Sequence, residues 1–243
     1  SQYVAWAGCP TPYYIADELS FNDVVLGTPE DFIKRGVNVK TLHKVTDIDF
    51  KNKTLNIEGN DINGTFEYDK LVIAVGAKSF VPNIDGYSEN LENVFTLSHA
   101  EHAIKIKEYI NGNKDKIKKA VVVGAGFIGL ETAEAFNIKN LEVTVVEKAD
   151  RIFPTVSENL KSEIYESIEK HGLTLKLNSG VNKIISENNI AKSVQLDNGE
   201  NLDFDIALFS IGITPNIEFI SSELKTENGK IIVNDKFETD LPG

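Results

Sequence analysis

The stretch Ala120 to Lys148 constrains this 243-residue chain more than any other part of it. It reads AVVVGAGFIGLETAEAFNIKNLEVTVVEK. The apolar run Val121 to Val123 leads into Gly124-Ala125-Gly126-Phe127-Ile128-Gly129. Small and apolar residues at helical spacing follow, and a second apolar run, Val143 to Val146, ends at Glu147. This pattern predicts a buried parallel strand, a tight turn, a helix and a second parallel strand. In that context the glycine spacing is a dinucleotide-binding fingerprint. Gly124 allows the tight turn, Gly126 lets backbone approach a pyrophosphate, and Gly129 lets the helix pack close to the strand. The helix N-terminus offers unpaired N–H groups to the phosphates. Glu147 suits the ribose hydroxyls of NAD and repels the 2′-phosphate of NADP, an exclusion that Lys148 tempers. A strand-turn-helix unit with these glycines and no ligand is the simpler alternative.

Composition removes several other functions. The net charge of −12 argues against a nucleic-acid partner. Apolar runs such as Leu71 to Ala77 are too short to span a membrane, and no signal peptide is visible. The single cysteine, Cys9, excludes an internal disulfide and a cysteine-based zinc site, which suits a reducing, cytoplasmic setting. His99 and His102 lie three residues apart without further ligands near them, so no metal site is expected. The chain contains no Met and is expected to be a piece of a longer protein.

Along the chain, Pro10 or Pro12 is expected to open a helix running towards Leu19. Cys9 then stands at or just before the helix start, where a thiolate is favoured. A buried, inert cysteine is an equal alternative. Thr28-Pro29-Glu30-Asp31 reads as a helix start. Short strands are expected around Val37 to Val39, Val45 to Phe50 and Lys53 to Glu58, then a buried strand from Leu71 to Val75 ending at Gly76. Ser98 and Glu101 suggest a capping box before a helix carrying Ile104, Ile106 and Ile110. Arg151 to Pro154 reads as a loop. Leu160, Ile164 and Ile168 form a core-facing helical stripe ending near Gly172. Strands follow over Leu173 to Leu177, Val181 to Ser186 and Ala191 to Leu196. Asp197-Asn198-Gly199 marks a hairpin, and Ile206 to Ile211 forms a buried run before Gly212.

Two stretches correspond at a constant offset of 136 residues: Gly36 with Gly172, Val45 with Val181, Tyr68 with Phe204, Asp69 with Asp205, and Gly76 with Gly212. A repeat of this length is a duplicated domain. The second copy opens on the fingerprint at Gly124. The first copy's equivalent would fall before Ser1, so a first nucleotide-binding unit is expected upstream. The expected fold is α/β, with two Rossmann-like three-layer domains, the first incomplete.

With these residues in place the chain resembles the flavoprotein pyridine nucleotide-disulfide oxidoreductases, in their single-cysteine branch of coenzyme A-disulfide reductase, NADH oxidase, NADH peroxidase and persulfide reductase. The likeness rests on Cys9-Pro10-Thr11-Pro12-Tyr13-Tyr14-Ile15, Tyr68 to Gly76, Gly124 to Glu131, Phe209 to Asn216 and Thr239 to Gly243. It implies FAD on a partial first domain, residues 1–97 completed by 225–243, and NAD on a second, residues 98–224. It implies that Cys9 is redox-active and that Glu131 lies near nicotinamide and flavin. Phe127 would stand where nicotinamide docks, and Gly212 near its amide. Backbone at Val45, Ala74, Val75 and Gly76 would line the FAD adenosine. The implied activity passes electrons from NADH through flavin and Cys9 to a disulfide, persulfide, peroxide or oxygen, in a homodimeric full-length protein. Pro10, Ala5 and Val75 depart from the family's usual Gly, Ser and Thr and leave the acceptor open. Two alternatives are a rubredoxin- or ferredoxin-type reductase without a redox cysteine, and a non-catalytic NAD-binding sensor.

Overall fold

Three consecutive valines can all be buried only if both faces of their strand are covered, and that is their position in the computed structural model of the chain. The structure describes residues 1–153, 157–220 and 223–241, without the side chains of Glu158 and Asn159. Pro154 of the expected loop and the Pro242-Gly243 end of the last motif lie outside the described residues. The helices described are α1 (Thr11–Ile15), α2 (Phe21–Val24), α3 (Pro29–Lys34), α4 (Ala100–Gly112), α5 (Phe127–Ile138) and α6 (Glu158–Lys170). Contacts divide the chain into two units. One comprises Ser1–Ala5, Gly27–Lys78 and Ile213–Gly243; the other comprises Trp6–Leu26 and Ser79–Gly212.

In the Trp6–Leu26/Ser79–Gly212 unit a five-stranded, all-parallel sheet runs in the order Thr174–Lys176, Glu142–Val146, Lys119–Val123, Ile206–Phe209, Val94–Thr96. Ala120, Val122, Val143, Val145, Ile206 and Leu208 face a core shared with α1, α4, α5 and α6. Val121, Val123, Val146, Ala207 and Phe209 face the other way, onto Ile184, Ala191, Val194 and Leu196. Those last residues belong to an antiparallel sheet of Val181–Glu187, Ile190–Leu196 and Asn201–Asp203. The central strands are therefore buried on both faces, which is why they read as unbroken apolar runs. Each fully buried valine contributes about 1.5–3 kcal/mol. Buried Asn93 fastens the layers: its Nδ2 donates to the carbonyls of Ala191 (2.8 Å) and Asp205 (3.0 Å), and its Oδ1 accepts from Ala191 N–H (2.8 Å).

The other unit is built on an antiparallel sheet of His43–Asp49, Thr54–Gly59 and Gly64–Glu67 over a small core of Ile48, Ile220 and Leu224. α3 starts as the sequence predicts. Thr28 is its N-cap, Pro29 opens it, and Asp31 closes a capping box through Thr28 N–H (3.0 Å).

Several expectations are corrected. Leu71 to Val75 joins no strand ladder among the described residues; every second residue is exposed, Val72 to 86%. A strand needs neighbours for its N–H and C=O groups. Here the carbonyls of Val75 and Gly76 go instead to the side chain and backbone N–H of Asn216, at 3.1 Å each. Val37 to Val39 likewise forms no strand. The helix after Ser98 exists, but its N-cap is His99 and no side chain caps it; Ser98 lies one residue outside the cap, and its N–H is directed at His102 Nδ1 (3.3 Å). Ile168 of the α6 stripe is buried, whereas Leu160 is 54% exposed. Separately, the contact units group Trp6–Leu26 and Ser79–Leu97 with the parallel sheet.

Candidate functional site

Register places the fingerprint turn, Glu147 and the approach to Gly212 on one edge of the sheet. Val123 pairs with Val146 and with Phe209, and Val146 pairs with Lys176. The carboxyl ends of these strands are thus level, and the fingerprint turn, Glu147 and Ser210 to Gly212 leave the sheet side by side. The chain passes from the Lys119 strand outward to Glu142 and Thr174, then returns on the opposite side at Ile206. That reversal makes a crevice at the carboxyl edge, the usual ligand position in such sheets.

The glycines fit the crevice individually. Gly124 has φ +106°, and a Cβ there would overlap the Ser210 carbonyl oxygen. A Cβ on Gly129 would overlap the Gly124 carbonyl oxygen, so the fingerprint helix can approach its strand only with glycine here. Gly126, the N-cap of α5, has nothing within 4 Å of where a Cβ would stand. Ala125 N–H donates to Glu147 Oε2 and Ala149 N–H to Glu147 Oε1, both at 2.8 Å. The carboxylate is held at the mouth of the turn, and each oxygen keeps a further lone pair. Lys148 is exposed. Gly212 is exposed with φ +151°. Exposed Ile128 occupies the first turn of α5.

Phe127 begins α5, is 64% exposed, and lies 4.4 Å from the Phe153 ring, centroid to centroid. Together with Leu130, Glu131, Leu160 and Ile164 these rings line a cleft of about 520 Å³ between α5 and α6. On its other side Glu131 shares a notch with Pro12, Tyr13 and Ala16 of the α1 segment. Partial desolvation by these surroundings pushes the Glu131 carboxyl above the ordinary carboxylate range, and the like charge of Glu134 adds to this.

Cys9 is free and exposed, which removes the buried-cysteine alternative. It lies two residues before α1, which covers five residues and stops well short of Leu19. Fingerprint, Glu147, Lys148, Gly212, Cys9 and Glu131 all belong to the unit of the parallel sheet. Val45, Ala74, Val75 and Gly76 belong to the other unit: Val45 on the His43 strand, the rest on the segment that begins at Leu71. Sequence reading missed Ser210, Ala149 and the pairing of Asp17 with Lys107 and Lys139. Backbone acceptors and contacts between residues far apart in sequence leave no local pattern. Among the described residues no His, Cys, Asp or Glu cluster could hold a metal ion, and no helix is long and apolar enough to cross a membrane.

Residues 2–243 match the family model described as pyridine nucleotide-disulphide oxidoreductase. The chain is similar to an NADH oxidase of Methanocaldococcus jannaschii, 35% identical over 247 residues, covering 98% of this chain and 53% of that protein. It is similar to a coenzyme A disulfide reductase of Staphylococcus aureus, 31% identical over 245 residues with the same two coverages. Among solved structures, an NAD-dependent persulfide reductase from A. fulgidus superposes with a TM-score of 0.88 at 32% identity, covering 98% of this chain and 44% of that one. The chain spans about half the length of the curated relatives it matches.

Proposed function

The chain belongs to the pyridine nucleotide-disulphide oxidoreductase family, and we propose that the full-length protein is an FAD-dependent NADH oxidoreductase passing electrons through Cys9. The acceptor is a small disulfide, persulfide, peroxide or oxygen. One observation carries this reading: a single unit holds both the fingerprint turn with Glu147 and the Cys9 segment, which packs against the fingerprint helix at Glu131.

Each part of the chain has a task in this reading. The first turn of α5 offers its N–H groups to the pyrophosphate of NADH over the open space at Gly126. The spare lone pairs of Glu147 accept from the ribose hydroxyls, with Lys148 beside them. Phe127 and Glu131 line the approach of the nicotinamide, and Gly212 lies at its amide. Ala74 and Gly76 are exposed, and free space lies where a Gly76 Cβ would stand, which suits a flat ring system lying against backbone. Backbone of this segment and of Val45 would line the FAD adenosine. When bound, FAD supplies the two-electron chemistry that side chains lack. The Cys9 thiolate attacks one sulfur of a disulfide acceptor, forming a mixed disulfide and releasing one thiolate. Two electrons from NADH then release the second thiol and restore the Cys9 thiolate. The net change converts NADH, a proton and one disulfide into NAD and two thiols.

We place the protein in the cytoplasm and take the full-length form to be a homodimer. Sedimentation at the mass of one subunit would contradict the second statement. Calorimetry on this chain tests the nucleotide reading: NADH is expected to bind more tightly than NADPH, and Glu147→Arg to narrow or reverse that order. Equal or tighter binding of NADPH by the unmodified chain would sink it.

A further inference from the structure

We propose that Asp17 is a positioning residue for Cys9, locking the segment that carries the thiol onto the helix of the nucleotide-binding turn. The proposal rests on the reading of Cys9 as the electron-passing residue.

A five-residue helix such as α1 does not hold itself together in water. Its own ends are fastened instead. Asp17 follows α1 with φ +65°, a left-handed conformation that a short polar side chain tolerates better than most. The carboxylate there meets two lysines from two different helices. Lys107 of α4 lies 2.8 Å from Oδ1, and Lys139, the C-cap of α5, pairs with Oδ2. The two lysine side chains are only 16% and 10% exposed. Lys107 also donates to the Tyr14 carbonyl (2.7 Å) and sits 3.9 Å from the Tyr14 ring centroid, while Lys139 donates to Asn111 Oδ1 (3.1 Å). Burial alone would raise Asp17, but the hydrogen bonds from Lys107 and Lys139 outweigh it and hold the carboxyl at about 2.

The other flank of Cys9 is tied as well. Trp6 Nε1–H donates to Thr11 Oγ1 (2.9 Å), the Thr11 hydroxyl donates to the Ala7 carbonyl (3.2 Å), and Ala7 N–H donates to the Val24 carbonyl (2.8 Å). Cys9 is therefore exposed on a loop whose two ends are both anchored. α5 opens at the fingerprint, carries Glu131 in its second turn, and ends where Lys139 grips Asp17. One helix thus connects the nucleotide turn to the thiol segment. Reaction rates are sensitive to placements of about 1 Å, so such a fixture affects chemistry as well as folding.

The test uses Asp17→Asn, which preserves shape and removes the charge, and Lys139→Gln, which breaks the α5 arm alone. In the full-length FAD-loaded protein both are expected to lower kcat with coenzyme A disulfide at least about tenfold, while flavin reduction by NADH in stopped flow stays within about twofold. In this chain, amide hydrogen exchange over 11–16 should quicken while that of Lys119–Val123 does not. A lowered thermal midpoint with unchanged kcat per folded molecule would reduce Asp17 to a structural role and overturn the proposal. Cys9→Ser separates the two readings. If it turns over disulfide at the wild-type rate, the Cys9 reading fails and the positioning proposal with it. If it is inactive while both clamp variants are normal, only the positioning proposal fails.

Discussion

The two copies of the internal repeat agree in their local structure and part company in their burial. Gly36 after α3 and Gly172 after α6 have φ of +81° and +71°. Both follow helices that end in the same cap. Gly36 N–H donates to the Ile33 carbonyl and Val37 N–H to Phe32, as Gly172 N–H does to Glu169 and Leu173 N–H to Ile168. The strands Thr54–Gly59 and Ile190–Leu196 begin 136 residues apart, as do Ala77–Ser79 and Ile213–Pro215. At the apolar run the copies diverge. Leu208 is fully buried in a parallel strand between Val122 and Phe95, while Val72, its counterpart, is 86% exposed. Similar sequence therefore yields the same turns and caps wherever neighbours in the chain suffice. Among the described residues it yields a buried strand only at the copy whose run pairs with other strands.

Matched substitutions in this chain sharpen the contrast. The largest difference is expected at the run itself. Leu208→Ala should cost about 2–5 kcal/mol, and Val72→Ala no more than about 0.5 kcal/mol. Urea unfolding measures both, and equal costs would mean that Leu71 to Val75 is packed after all. Next comes the aspartate that precedes each run. Asp205 Oδ2 accepts from the N–H groups of Lys118 (2.7 Å) and Lys119 (2.9 Å), joining two parallel strands at their start. Asp205→Ala is expected to cost about 1–3 kcal/mol, and Asp69→Ala much less by the same denaturation assay. The smallest contrast is expected at the caps. Gly36→Ala and Gly172→Ala each force a side chain into the left-handed region, at roughly 1–2 kcal/mol. Thermal melts should show the two penalties to be alike; a strong inequality would break the correspondence of the copies.

Much of the candidate site was legible because it is local. The roles of Gly124 and Gly129 follow from spacing, and the position of Glu147 follows from the length of the second apolar run. The Thr28 cap and the Asp197-Asn198-Gly199 hairpin needed only adjacent residues. Ser98 shows the limit of such signals. A plausible capping pair was present, yet Ser98 N–H is directed at His102 and the helix begins uncapped. The grip of Asp17 on Lys107 and Lys139 was invisible, since it joins residues 90 and 122 positions apart in sequence.

The sequence by itself determined the strand-turn-helix-strand unit, the acidic residue at its end, the period of the repeat and the family. These depend on covalent geometry and on neighbours within a few residues, which composition and spacing encode directly. Tertiary structure decided three things: which apolar run is sheathed on both faces, that Cys9 is exposed on a loop tied at both ends, and that its segment packs against the helix that follows the glycine turn. Each depends on which distant residues supply the hydrogen-bond partners and remove the water, and no window of sequence contains that information.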